Sequence, residues 1–334
     1  MIRAVGSIAL IRVIALVIKL LALALTSRFI GPNEFALFAT FNLFFLLSAS
    51  AFAGFMRYFL IVRKMKFLRL SLLKMAIIIA TISNLTWMAL FLLIMPSDIS
   101  LYLGYGVAFT ASLVIYPYLL SVYYEAQVEL SGGFTRLAIN NFIASAVGEV
   151  LVSILFLYLG FTYWALILGK LVFILHYMEV CRRLAGQQYS QLLSICSAKK
   201  YNMFLISGWQ YILSENINIL ASNIDNVVVS KVLGANAFGL YTRAYNVLKM
   251  PTDLVGVTLN KIMYTRRGKD AYSALVMVVW SAVIALSLSS LMVFFAAEIV
   301  VKLLLGEKWL DVAPIIQIGC WGILPRFLSK VCET

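Results

Sequence analysis

Of the chain's 334 residues, 63% are hydrophobic and 12% charged, and the mean hydropathy is +0.97. A soluble globular domain carries about a quarter charged residues, so a soluble fold is excluded and an all-α integral membrane protein is expected. The net charge of +13 is assigned to topology signals and anionic inner-leaflet lipid rather than to nucleic acid.

Crossing a bilayer takes roughly twenty apolar residues. About ten such spans are read along the chain, near 5–27, 35–58, 72–95, 100–124, 136–159, 161–181, 204–230, 237–262, 272–297 and 312–332. The connections are short; the longest polar one, Cys181 to Lys200, is too small for a folded domain. Arg12 and Lys19 inside the first apolar run argue against reading its ALALTS stretch as a signal-peptide cleavage site.

Lys and Arg fall on alternate connections: Arg57, Arg63, Lys64, Lys66, Arg69 and Lys74; Arg136; Arg182, Arg183, Lys199 and Lys200; Lys261, Arg266, Arg267 and Lys269. The intervening ones hold only Arg28, Lys231, Lys302 and Lys308. By the positive-inside rule the N-terminus is expected to be cytoplasmic. Cys181, Cys196, Cys320 and Cys332 show no paired spacing, so neither a disulfide nor a metal site is expected, and a lone His176 adds no metal site either. No cofactor is implied.

The phrases SRFIGPNEFAL and SKVLGANAFGL lie 203 residues apart. Ser27 falls on Ser230, Gly31 on Gly234, Asn33 on Asn236, Phe35 on Phe238 and Leu37 on Leu240. Turn chemistry alone accounts for Gly, which ends helices, but not for the register of Phe and Leu. Six spans separate the copies, so both enter the membrane in the same direction, as a parallel repeat does.

These same stretches, RFIGPNEFALF, NIDNVVVSKVLGANAFGLYTRAY and LLLGEKWLDVAPIIQIG, resemble the polysaccharide-transporter branch of the MOP exporter superfamily, the O-antigen and related lipid-linked oligosaccharide flippases. The resemblance implies a MATE/MOP-like bundle of two six-helix lobes around a cationic cavity, open to each membrane face in turn. It implies a polyprenyl-diphosphate-linked oligosaccharide as substrate, membrane lipid and polysaccharide polymerase machinery as partners, and a bacterial inner-membrane location. On that pattern residues 1–200 form an N-lobe and 201–334 a C-lobe of about four helices, two fewer than the 203-residue offset calls for.

Ionisable residues inside spans are functional candidates by default. Arg12 and Lys19 share one face of the first span at 3.6 residues per turn. Glu215, Asn218, Ser222 and Asp225 form a polar stripe at helical spacing in the seventh. The 203-residue offset sets Arg12 on Glu215 and Lys19 on Ser222, so two readings stand: both stripes line one central cavity, or Arg12 and Glu215 pair. Cations suit a diphosphate, and Asn, Ser and carboxylates suit a glycan. Arg243, in the YTRAY stretch, is expected at the outer part of this cavity. Glu149 and Lys170 are read as an ion pair, or Glu149 as a proton-coupling site. Lys249 and Asp253 are read as an intrahelical pair, and Pro117 and Pro251 as kinks.

No phosphate loop, nucleophile elbow or HExxH run appears, so an enzyme is not expected. A membrane glycosyltransferase would need a larger outer loop than GEKWLD. A drug or cation exporter of the same superfamily is favoured by Glu215 and Asp225 and opposed by Arg12, Lys19 and Arg243. An inactive remnant is the third alternative.

Overall fold

The computed structural model describes residues 14, 17–18, 20–57, 59, 69–186, 198–265 and 269–332, and these are helical with short connections and no strand. Arg12, Lys19 and Cys196 lie outside the described residues, as do Arg63, Lys64, Lys66, Arg266 and Arg267 of the orientation signal.

In chain order the helices are α1 (Leu20–Phe29), α2 (Pro32–Arg57), α3 (Arg69–Ala89, followed by the short Phe91–Ile94), α4 (Leu101–Leu130), α5 (Phe134–Ala144, Ser145–Val152 and Ser153–Tyr158), α6 (Thr162–Leu184), α7 (Ala198–Ala221), α8 (Ile224–Thr265), α9 (Lys269–Leu304) and α10 (Val312–Gly319, Cys320–Gly322 and Ile323–Cys332). Among the described residues, α2, α4, α5, α6 and α9 are long and apolar enough to cross a membrane.

Packing divides the chain into two compact units, Met1–Pro32 with Gly239–Thr334, and Asn33–Phe238. In the second, α2 is the core. Phe41, Phe44, Phe52 and Phe55 are fully buried on it; Phe45 meets Tyr118 of α4 edge-on at 5.0 Å, and Phe44 meets Phe91 at 5.8 Å. Lipid supplies no hydrophobic force between helices, so polar side chains bond them. Ser112 donates to Asn84 at 2.9 Å between α4 and α3, Ser50 to Asn216 at 2.9 Å between α2 and α7, and Asn140 to the Tyr177 carbonyl at 3.3 Å between α5 and α6. In the first unit α9 packs on α10 around Leu286, Cys320, Ile323 and Phe327.

Two interruptions fall at residues other than proline. α4 runs through Pro117 and α8 through Pro251 as continuous helix; the non-helical residue inside α8 is Gly234 (φ 81°, ψ −176°). The 204–230 span is also broken, at Ser222–Asn223. There the Ser222 hydroxyl and the Asn223 amide both donate to the Ile219 carbonyl, at 3.0 and 2.8 Å, while Asn223 offers its own carbonyl to Val227 N–H at 3.2 Å. Side chains that satisfy the backbone locally stop one helix, and the next begins with the Asn223 carbonyl as its first acceptor.

Candidate functional site

The break at Ser222–Asn223 changes the predicted stripe. Glu215 and Asn218 lie on α7, Ser222 in the turn, and Asp225 in the first turn of α8. The four therefore do not share one continuous helix face. Asp225 instead accepts from Asn226 N–H at 2.8 Å, with its carboxylate at the positive end of α8. Glu215 and Asp225 are half-buried, Asn218 and Ser222 exposed. Asn216 of α7 bonds to Ser50 of α2, a contact the sequence reading passed over.

Arg243, expected from sequence at the outer part of the cavity, is 5% exposed inside the first unit. Its guanidinium donates to Ser27 Oγ at 2.6 and 3.1 Å, to Thr26 Oγ1 at 3.0 Å and to the Leu23 carbonyl at 3.4 Å. The face of the guanidinium lies 5.3 Å from the ring of Trp309, whose Nε1–H donates to the Ser27 carbonyl at 2.9 Å. This is a closed polar knot around the end of α1, with the orphan groups of a helix terminus satisfied from the α9–α10 connection.

The second copy of the turn is held in a corresponding way inside the second unit. Ser230 donates to the Ile94 carbonyl at 2.7 Å, Lys231 to the Leu92 carbonyl at 2.9 Å, and Ala235 N–H to Asp98 Oδ1 at 2.7 Å. Gly234 lies against the Asp98 carboxylate with a positive φ, where a side chain is strained. Each repeated turn is thus fastened by the third-to-fourth-helix connection of the other sequence half. The spacing revealed the turns, but nothing in it named Asp98 or Trp309 as their partners.

Lys170 donates to Glu149 Oε1 at 3.1 Å, and Ser145 to Glu149 Oε2 at 2.8 Å. Glu149 sits in the Ser145–Val152 segment, which is wound as a π-helix, a geometry frequent at functional sites. A Cβ at Gly148 would strike the Phe173 backbone and one at Gly169 the Ser153 side chain, so these glycines bring α5 and α6 together around the pair. Lys249 stands with its ammonium 5.6 Å from the Tyr245 ring centroid; the Asp253 side chain lies outside the described residues. Among the described residues no cluster of metal-ligating side chains occurs.

A family model described as "Polysaccharide biosynthesis protein" matches residues 25–314. The chain belongs to this family. Its long apolar helices mark it as a multi-pass membrane protein of a polysaccharide-biosynthesis family. It is also similar to the teichuronic acid biosynthesis protein TuaB of Bacillus subtilis (strain 168), with 24% identity over 121 residues, 34% of this chain and 25% of that protein. The match spans a quarter of the relative's length. No solved structure matches the chain.

Proposed function

We propose that the chain is a flippase that carries a polyprenyl-diphosphate-linked oligosaccharide across the cytoplasmic membrane by alternating access, for the assembly of surface polysaccharide. The family match across residues 25–314 carries this reading. The N-terminus is cytoplasmic, and the chain is built as an N-lobe (1–200) and the matching part of a C-lobe (201–334). Arg12 and Lys19 neutralise the diphosphate, while Glu215, Asn218, Ser222 and Asp225 hydrogen-bond the glycan. The polyprenyl tail stays in lipid. Arg243 serves the outer closure, since its donors are taken up by Ser27 and Thr26. The half-buried carboxylates of Glu215 and Asp225 favour the cation exporter as the second reading.

Complementation tests the choice. The chain, and a version extended by two further helices, is expressed in strains lacking their own O-antigen flippase, and surface polysaccharide and accumulated lipid-linked precursor are measured. Rescue that is lost in Arg12→Ala and Lys19→Ala is the expected result. Correct membrane insertion without rescue in any strain, together with resistance to cationic dyes, would replace this reading with the exporter.

A further inference from the structure

A cavity of about 310 Å³ lies within the first unit between α8 and α10. Its walls are Leu248, Ile315 and Ile318, with Tyr245 and Arg326 at one end. α10 is irregular beside it. Pro325 cannot donate to the Trp321 carbonyl, and the helix tightens into a 3₁₀ turn over Cys320–Gly322. The Cys320 carbonyl is satisfied by the hydroxyl of Ser290 on α9 at 2.7 Å. Gly319 packs directly on Leu248, and a side chain there would collide with it; a Cβ at Gly322 would meet nothing within 4 Å. A helix interrupted by Gly and Pro inside an apolar run is where membrane transporters build binding sites.

The cation at the end of this hollow is set deep. With the Gly234 break taken as the membrane boundary, Tyr245, some 16 Å further along α8 at about 1.5 Å per residue, falls near the middle of a ~30 Å hydrocarbon layer. Helical side chains lean toward their own N-terminus, and Arg326 does so: its guanidinium comes back onto Tyr245, 4.7 Å from the ring centroid, instead of reaching away from the layer's centre. Lys249 approaches the same ring at 5.6 Å. Among the described residues lining the cavity there is no carboxylate. An intramembrane cation held on an aromatic face beside an apolar hollow is complementary to an anionic head with a hydrocarbon chain attached.

We propose that this hollow holds the phosphate end of a prenyl phosphate lipid, with the phosphate on Arg326 beside Lys249 and the first isoprenoid carbons against Leu248, Ile315 and Ile318. An ordinary phospholipid keeps its phosphate at the membrane surface, about 15 Å from this level; a lipid in transit brings one here. In that respect the assignment rests on the transport reading above, and it adds a phosphate site apart from Arg12 and Lys19.

The test uses the full chain in phosphatidylcholine nanodiscs, titrated with radiolabelled farnesyl diphosphate against farnesol, inorganic diphosphate and phosphatidylglycerol as competitors. Saturable binding displaced well only by unlabelled farnesyl diphosphate is expected. Arg326→Gln should weaken it about tenfold or more, the loss of one charge-assisted contact. Gly322→Leu should abolish it by filling the hollow while leaving thermal stability unchanged. Unaltered affinity in Arg326→Gln overturns the site, as does displacement by farnesol, by inorganic diphosphate or by phosphatidylglycerol as effective as by the probe itself. Binding that obeys these expectations with no transport in the complementation assay removes the flippase reading and keeps the site; full rescue by Arg326→Gln with unchanged binding removes the site and keeps the flippase.

Discussion

Trp309 is the side chain whose removal discriminates most sharply between a packed knot and an incidental contact. It is 0% exposed, stacks on Arg243 at 5.3 Å and donates to the Ser27 carbonyl at 2.9 Å. Trp309→Ala removes a fully buried ring, a loss of about 3–5 kcal/mol, and takes away the stacking partner of Arg243. Trp309→Phe keeps most of the ring and forfeits the hydrogen bond, about 1 kcal/mol. At about 2–4 °C per kcal/mol for a domain of this size, the first should lower the midpoint by about 10 °C and the second by a few degrees. Two buried thiols allow each unit to be read separately: Cys320 lies in the first unit and Cys181 in the second. With Cys196 and Cys332 replaced by Ser, and then either Cys181 or Cys320 as well, heating in detergent with a thiol-reactive dye reports the exposure of the remaining one. The Trp309→Ala shift should be large at Cys320 and smaller at Cys181. An unmoved Cys320 transition, or a Trp309→Phe loss as large as that of Trp309→Ala, would refute the packing argument.

Three further outcomes are expected. Gly148→Ala places a methyl against the Phe173 backbone and should destabilise the α5–α6 contact by about 1–3 kcal/mol, read as earlier labelling of Cys181. Glu149→Gln and Lys170→Met should each lower that same transition, with the double variant closer to the parent than the two losses added, because a lone charge left behind is costlier than none; retained flipping with unchanged pH dependence in Glu149→Gln would mark the pair as structural, and an altered pH dependence would mark it as coupling. Gly234→Ala forces a side chain into φ 81°, ψ −176° beside Asp98 and should cost about 1–3 kcal/mol, whereas Gly31→Ala, with open space around its Cβ, should cost less than half as much in the same melting assay.

The helices were legible because lipid demands long apolar runs, and among the described residues α2, α4, α5, α6 and α9 are long and apolar enough to cross a membrane. Local polar chemistry was less legible. A stripe at i, i+3, i+7 and i+10 predicts one face only if the helix persists, and Ser222 with Asn223 ends it by bonding Ile219. Pro117 and Pro251 both lie inside helices, α4 and α8. Gly234, Gly319 and Pro325 mark the positions where the chain departs from regular helix. Arg243 shows a different limit: an arginine in a span signals function by default, but its burial against Ser27, Thr26 and Trp309 depends on residues up to 220 positions away, which periodicity does not reach.

The repeat itself acquires a physical meaning from these partners. Ser27 and Ser230 occupy the same place in the two copies, and each closes a helix end against a connection belonging to the other sequence half, Ser27 through Trp309 and Arg243, Ser230 through Ile94 with Asp98 next to it. The fastening therefore exchanges segments between halves. Packing divides the chain accordingly: residues 1–32 belong with 239–334, and residues up to 238 with the helices from α2 onward. A boundary at residue 200 describes how the sequence repeats, and the boundaries at 32 and 238 describe how it packs; the two differ because a turn that ends two antiparallel helices leaves backbone groups that its own hairpin cannot satisfy. Asp98 meets this need with an acceptor for Ala235 N–H, and Trp309 with a donor for the Ser27 carbonyl. Different chemistry thus fastens the two turns, an acceptor from the α3–α4 connection in one and a donor from the α9–α10 connection in the other.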